Sequence, residues 1–159
     1  MLADLPLPLL RPLYHASHLW FRFARPLTMG VRAVVLDEAD RVFLVRHSYL
    51  PGWHLPGGGV EVGETALEAL ARELREECHI ELTGAPVLHG VYLNTFVTKR
   101  DHVLIYVVRD FHQTHARDAD LEIVEAGFFP VDNLPDTTAR GSRERLAEVL
   151  SGSPVSARW

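Results

Sequence analysis

The chain has 159 residues, 47% of them hydrophobic and 23% charged, with a formal charge of −5. That length and balance fit one domain with a single core and exclude wholesale disorder. The acidic balance argues against a nucleic-acid-coating protein, which needs a basic excess to neutralise a phosphate backbone; a small phosphorylated ligand needs only local positive charge or bound metal.

The single cysteine, Cys78, permits neither an intramolecular disulfide nor a cysteine-based zinc cluster and fits a reducing cytoplasm. Asp4, Pro6, Pro8 and Pro12 interrupt the apolar start, so no export signal is expected. No apolar run reaches the ~18 residues of a membrane span.

Residues 1–27 read as a leader followed by an amphipathic helix. Over residues 12–25, Leu13, Tyr14, Ser17, Trp20, Phe21 and Ala24 share one helical face and His15, His18, Arg22 and Arg25 the other. The aromatic face is expected to dock on the domain or on a second copy of the chain in a homodimer. Pro26 stops the helix.

The main domain is expected over residues 28–150. Residues 31–36 and 42–46 are β-branched and apolar, and the short acidic link between them predicts a hairpin. A loop rich in Pro, Gly and aromatics follows over 47–59, then a short strand over 60–62. The clearest helix covers residues 65–78. Leu67, Leu70, Ala71, Leu74 and Cys78 form its apolar stripe, with Thr65 as N-cap and Glu68 at capping-box spacing. Strands are predicted near 87–93, 102–109 and 122–129. Residues 103–108 are apolar throughout, as in a central strand buried on both faces. A last helix is predicted over 142–150, and 151–159 read as a loose tail. This order predicts an α/β (α+β) sandwich around a mixed sheet.

Glu73, Glu76 and Glu77 project from one wedge of the helix, beside the apolar stripe. Like charges at this spacing destabilise a helix by a few tenths of a kcal/mol per pair. A hard dication removes that repulsion and prefers oxygen ligands. An isolated E-x-x-E-E is more often a solvated face, with Arg72 and Arg75 as counterions. The upstream context decides otherwise: Gly57, Gly58 and Gly59 lead through residues 60–64 straight into this helix. Glycines let backbone approach a ligand, and such a loop can bring carbonyls to a cation and N–H groups to phosphates.

Here the chain resembles the Nudix family, whose box reads G-x5-E-x7-R-E-apolar-x-E-E-x-G-apolar. Gly58, Glu64, Arg72, Glu73, Leu74, Glu76, Glu77 and Ile80 occupy its positions, and the approach over residues 53–59, WHLPGGG, is also similar. One position departs: His79 stands where the box has Gly, a residue that normally closes the helix in the left-handed region.

The resemblance implies a Nudix-like α/β/α sandwich that hydrolyses a nucleoside diphosphate linked to another group. It implies Mg²⁺, or Mn²⁺ in its place, on Glu73, Glu76 and Glu77 with the Gly58 carbonyl. Arg72 would orient Glu73 or pair with Glu64, and Glu64 would brace the loop. The general base would be Glu73 or a later glutamate, Glu122 or Glu125. A catalytically silent nucleotide-binding module is the alternative reading, disfavoured by the intact E-x-x-E-E.

The substrate reading is a small nucleotide or nucleotide sugar, not a nucleic-acid polymer. The family's downstream marks, a proline for ADP-ribose or a tyrosine for dinucleoside polyphosphates, are both missing from residues 95–98. His54, Gly57, Gly59 and Phe96 are the substrate-binding candidates. The other histidines read as surface or loop residues, and Cys78 as a small buried hydrophobe.

Overall fold

The computed structural model describes residues 26–96 and 98–159; the expected N-terminal helix, and with it the dimer contact, lies outside the described residues. In chain order the elements are β1 (Thr28–Val35), β2 (Arg41–His47), α1 (Ala66–Cys78), β3 (Ile80–Leu82), β4 (Val87–Asn94), β5 (Asp101–Val108), β6 (Phe111–Gln113), β7 (Ile123–Pro130) and α2 (Arg140–Ser151). β5 lies between β1, its parallel neighbour, and β4, its antiparallel one, so the sheet is mixed. β2 pairs antiparallel with β7, and β3 with β6.

The two outermost layers are helices. Val31, Ala33 and Val35 of β1, Phe43 and Val45 of β2, and Leu104, Tyr106 and Val108 of β5 pack on Ala69, Leu70, Leu74 and Cys78 of α1. The alternate residues Val34 and Leu36, Val42 and Leu44, and Val103 and Ile105 pack on the other side, with Leu146 of α2. Strands buried on both faces explain the uninterrupted apolar runs.

The same fact corrects the expected hairpin. β1 and β2 share only an isolated bridge, Leu36 to Val42. Asp37 organises the link by accepting from the N–H groups of Ala39 and Arg41. Beyond it the strands part, β1 to β5 and β2 to β7. A strand apolar on both faces needs a layer on each side, and two adjacent apolar runs say nothing about which neighbour each will take.

Helix α1 starts as expected: Glu68 N–H donates to Thr65 Oγ1 at 3.2 Å and Thr65 N–H to Glu68 Oε2 at 2.8 Å. Its buried face is rotated from the expected stripe. Leu67 is 49% exposed, whereas Ala69 and Glu77 are buried. That rotation carries Glu77 into the interior. His79 ends the helix at φ 53° and ψ 36°, in the left-handed region.

Two further expectations are corrected. Residues 60–62 form no strand: Val60 N–H donates to Met29 O, and the chain turns through Glu61 to Glu64 with Val62 fully exposed. The tail is not loose. Trp159 N–H donates to Leu93 O at 3.1 Å, Leu93 N–H to Ala157 O at 3.0 Å, and the Trp159 ring meets Tyr92 edge-on. A terminal aromatic that finds a buried partner holds its segment in place. β3 and β6, three residues each, are too short to show a period in sequence.

Candidate active site

The glycine loop lies along β1. Val31 N–H donates to Gly58 O and Ala33 N–H to Pro56 O, each at 2.9 Å. The Arg32 guanidinium donates to Leu55 O at 3.1 Å and also to Gly57 O. Gly57 sits at φ 133°, where a Cβ would lie 2.2 Å from Val31 O. A Cβ on Gly58 would lie 2.3 Å from Glu73 Oε1. Any side chain at either position would push the loop off β1 or off the carboxylate helix.

Three contacts tie this loop to α1. Gly57 N–H donates to Glu77 Oε2 at 2.7 Å. Arg72 grips Glu64 with a fork, Nε to Oε1 and Nη2 to Oε2, both 3.0 Å, and Nη2 also reaches Gly59 O at 3.0 Å. Its Nη1 donates to Glu73 Oε1 at 2.7 Å and lies 3.5 Å from Glu76 Oε2. Arg72 therefore contacts both partners between which the sequence left a choice. Glu64 in turn accepts from Glu61 N–H. The fork holds the Glu64 carboxyl below the usual carboxylate range.

Glu73, Glu76, Glu77 and Glu122 line one pocket of 470 Å³ together with Arg75, His79, Arg117, Asp120 and Ile123. Glu122 reaches it from the turn before β7. Asp120 Oδ1 accepts from the N–H groups of both Glu122 and Ile123, while Arg117 holds its other oxygen. Those contacts, Arg117 first, lower the Asp120 carboxyl to about 2. Glu125 is absent from this lining and pairs with Arg46 at 2.9 Å.

Behind Glu77 sits His47, 5% exposed, with Nε2 at 3.4 Å from Glu77 Oε1. Proximity alone suggests an ion pair, but burial acts against both charges. It pushes Glu77 up to about 7, despite Gly57 N–H and Arg32, and His47 below its ordinary value. Desolvation prevails because Glu77 also faces Glu73 and Glu122, whose charges add to its cost.

Among the substrate-binding candidates, Gly57 has both backbone groups engaged inside the protein, by Glu77 and Arg32. His54 Nε2 is paired with Pro51 O at 2.9 Å, and its ring lies 6.3 Å from His47. Phe96 is 86% exposed and does not line the pocket. Trp53 is core, edge-on to Phe129. Sequence reasoning missed Arg32, His47 and Asp120. A signal existed for Arg32, a charged residue among the apolar residues of β1 that must there have a partner or a task; His47, at the end of β2 beside Arg46, carries no such mark. Asp120 shows only as one more acidic residue in a loop.

A mixed sheet between two helices, with a glycine loop clamped onto a carboxylate helix, is the architecture of a class of hydrolases acting on pyrophosphate bonds. The sequence model of the NUDIX domain matches residues 26–149, and the chain belongs to that family. It is similar to mouse 8-oxo-dGDP phosphatase NUDT18, 31% identical over 127 residues, covering 72% of this chain and 36% of that protein. It also resembles an RNA pyrophosphohydrolase of Legionella pneumophila, 37% identical over 60 residues, covering 38% of this chain and 34% of the relative. The matches thus span about a third of these relatives' length. Among solved structures it resembles a MutT NUDIX hydrolase from Burkholderia pseudomallei (TM-score 0.67, 25% identity, 78% of this chain and 98% of that one). A NUDIX hydrolase from Nitrosomonas europaea shares the fold (TM-score 0.68, 21% identity, 84% of this chain and 93% of that one).

Proposed function

We propose that this chain hydrolyses the diphosphate linkage of a nucleoside diphosphate derivative with a divalent cation, water attacking phosphorus. The observation that carries this reading is the convergence of Glu73, Glu76, Glu77 and Glu122 on one polar pocket that also presents Arg75 and Arg117.

The donor set fits a hard dication, since four carboxylates offer only oxygen. Glu77 makes the same point electrostatically: a buried carboxyl pushed up to about 7 among like charges is stabilised as the anion by a cation. Glu73, Glu76 and Glu77 would hold Mg²⁺, or Mn²⁺ in its place. The Gly58 carbonyl, which spends one lone pair on Val31 N–H, has a second to offer. When bound, the ion neutralises phosphoryl oxygens and lowers the pKa of a water.

The chain's own groups do the rest. Arg72 fixes the rotamer of Glu73, and Gly57 N–H holds Glu77 Oε2 so that Oε1 faces inward. Glu122 is the group that takes the proton from the attacking water, because it faces the carboxylates of α1 across the pocket while Glu125 is bound to Arg46. Arg75 supplies positive charge for the departing phosphate, while Arg117 is held by Asp120. The likeness to an 8-oxo-dGDP phosphatase and an RNA pyrophosphohydrolase supports a nucleotide end to the substrate. The pocket lining contains no Phe, Tyr or Trp among the described residues, so the base is expected outside it, with Phe96 and Tyr49 as exposed aromatics offered for stacking.

The test is turnover of nucleoside triphosphates, 8-oxo-guanine nucleotides, ADP-ribose, nucleotide sugars, dinucleoside polyphosphates and 5′-triphosphorylated RNA by wild type and Glu76→Gln, with Mg²⁺ or Mn²⁺. Turnover of one class, abolished by EDTA and lowered at least tenfold by the substitution, supports the reading. Inertness to the whole panel with both ions overturns it in favour of a silent binding module.

A further inference from the structure

We propose that His47 is a nitrogen ligand in this site, so that His47, Glu77 and Glu122 form a mixed nitrogen and oxygen centre favouring a first-row transition-metal dication over Mg²⁺. The proposal rests on Glu77 being a metal ligand, as above, and adds a ligand of a different chemical kind.

Three observations carry it. First, one donor atom from each of His47, Glu77 and Glu122 can be chosen so that all lie within 4.8 Å of one another. Ligand atoms about 2.0–2.2 Å from a common ion, at angles of 90–110°, lie roughly 3.0–3.5 Å apart; His47 Nε2 and Glu77 Oε1 are 3.4 Å apart. Second, the free valences point the right way. Glu77 Oε2 is occupied by Gly57 N–H, which leaves Oε1, the oxygen nearest His47. Glu122 Oε1 accepts from Tyr49 Oη at 3.0 Å, which leaves its other oxygen for a cation, while Oε1 keeps a lone pair for a neighbouring water. Third, the His47 side chain is only 3% exposed and its Nδ1 has no hydrogen-bond partner. His47 closes β2 at a register shift against β7, and a buried imidazole there is expected to be satisfied on both nitrogens. The ring lies 5.2 Å from Tyr49 and turns its other nitrogen, Nε2, to Glu77 Oε1, with Glu122 in the same cluster.

Imidazole nitrogen changes which ion is preferred. Mg²⁺ binds oxygen and keeps its waters, whereas an imidazole ligand shifts preference along the first-row series toward Fe²⁺, Co²⁺ and Zn²⁺, with Mn²⁺ its weakest member.

The test uses Mn²⁺ as probe on the full chain. Pulsed EPR of Mn²⁺-loaded wild type is expected to show directly coordinated ¹⁴N, with a pattern that changes when histidine is labelled with ¹⁵N. The nitrogen signal should vanish in His47→Gln. Because loss of even an outer-shell partner weakens metal binding by about 10–100-fold, Mn²⁺ affinity should fall at least tenfold in His47→Gln, with Mg²⁺ affinity changed less than threefold. The labelling arm needs no variant, so it stands even if the substitution disturbs folding. Mn²⁺ bound to wild type without nitrogen coupling, or with coupling that survives His47→Gln, overturns the His47 assignment and leaves the carboxylate site intact. No Mn²⁺ binding at all overturns both readings together.

Discussion

Arg72 binds Glu64 through two parallel contacts of 3.0 Å and, with the remaining nitrogen, holds Glu73 at 2.7 Å. One planar guanidinium thus sets the distance between the glycine loop and the carboxylate helix. Lysine carries the same charge but only one point of attachment and cannot span both partners. Arg72→Lys is expected to lower kcat/KM by about 10–100-fold, the range for losing an outer-shell orienting contact. The loss should be smaller at saturating metal, because a misplaced Glu73 weakens the ion's hold first. Steady-state kinetics across a metal titration checks this, and equal loss at all metal concentrations would place the role of Arg72 elsewhere.

Glu122 and Glu125 stand close together in the same segment and have different surroundings. The first faces the pocket; the second is bound to Arg46 on the strand ladder, both side chains largely exposed. Glu122→Gln is expected to reduce kcat by about 10²–10⁴, the usual worth of a positioned base. Glu125→Gln should leave kcat within threefold, since exposed ion pairs contribute little. A larger loss for Glu125→Gln than for Glu122→Gln would reverse the assignment.

The Glu77 carboxyl gives a pH signature. Its pKa in the fold is raised from 4.5 to about 7, so its contribution to stability is fully present below pH 4.5 and is lost as pH rises through about 7. Without metal, wild type should therefore lose stability on the order of 3 kcal/mol from this group between those limits, at 1.36 kcal/mol per pKa unit. Glu77→Gln, with no charge to bury, should lack that slope and be the more stable protein at pH 8. Added Mn²⁺ should narrow or reverse the difference, since wild type binds the ion more tightly and gains more from it. Urea denaturation at pH 4.5 and pH 8, with and without Mn²⁺, checks both signs.

What was legible in the sequence divides along physical lines. Helix α1, its capping box and the wedge of glutamates follow from spacing alone, because a helix makes neighbours of residues three and four apart. The clamp of Arg72 on Glu64 and Glu73 was legible as a pair of options through the family resemblance, and both partners lie on or next to the same helix. Pairing between β1 and β5, some seventy residues apart in register, was not. An apolar run fixes burial and leaves the neighbour unspecified. His47 was invisible, and the partners of Arg32 were unreadable, for a related reason: each acts on a segment brought to it by the fold, and nothing local marks the meeting. The rotation of α1 that exposes Leu67 and buries Glu77 is also a tertiary result, since the helix settles where its carboxylate can accept Gly57 N–H.

His79 ends α1 in the left-handed region at φ 53°, a conformation that glycine adopts freely and that costs other residues roughly 1–2 kcal/mol. Its buried Nδ1 has no hydrogen-bond partner, a further cost. Against these stands the stacking of its ring on His115, with centroids 3.9 Å apart. His115 is exposed, so the stack contributes at the low end of the roughly 0.5–1.5 kcal/mol of an aromatic pair. The balance favours glycine. His79→Gly is expected to stabilise the protein by about 1 kcal/mol and to raise Tm by about 2–4 °C, the scaling for a chain of this size. If His79→Gly instead lowers Tm, the His79–His115 stack is worth more than the backbone strain, and His115→Ala should then lower it by a similar amount.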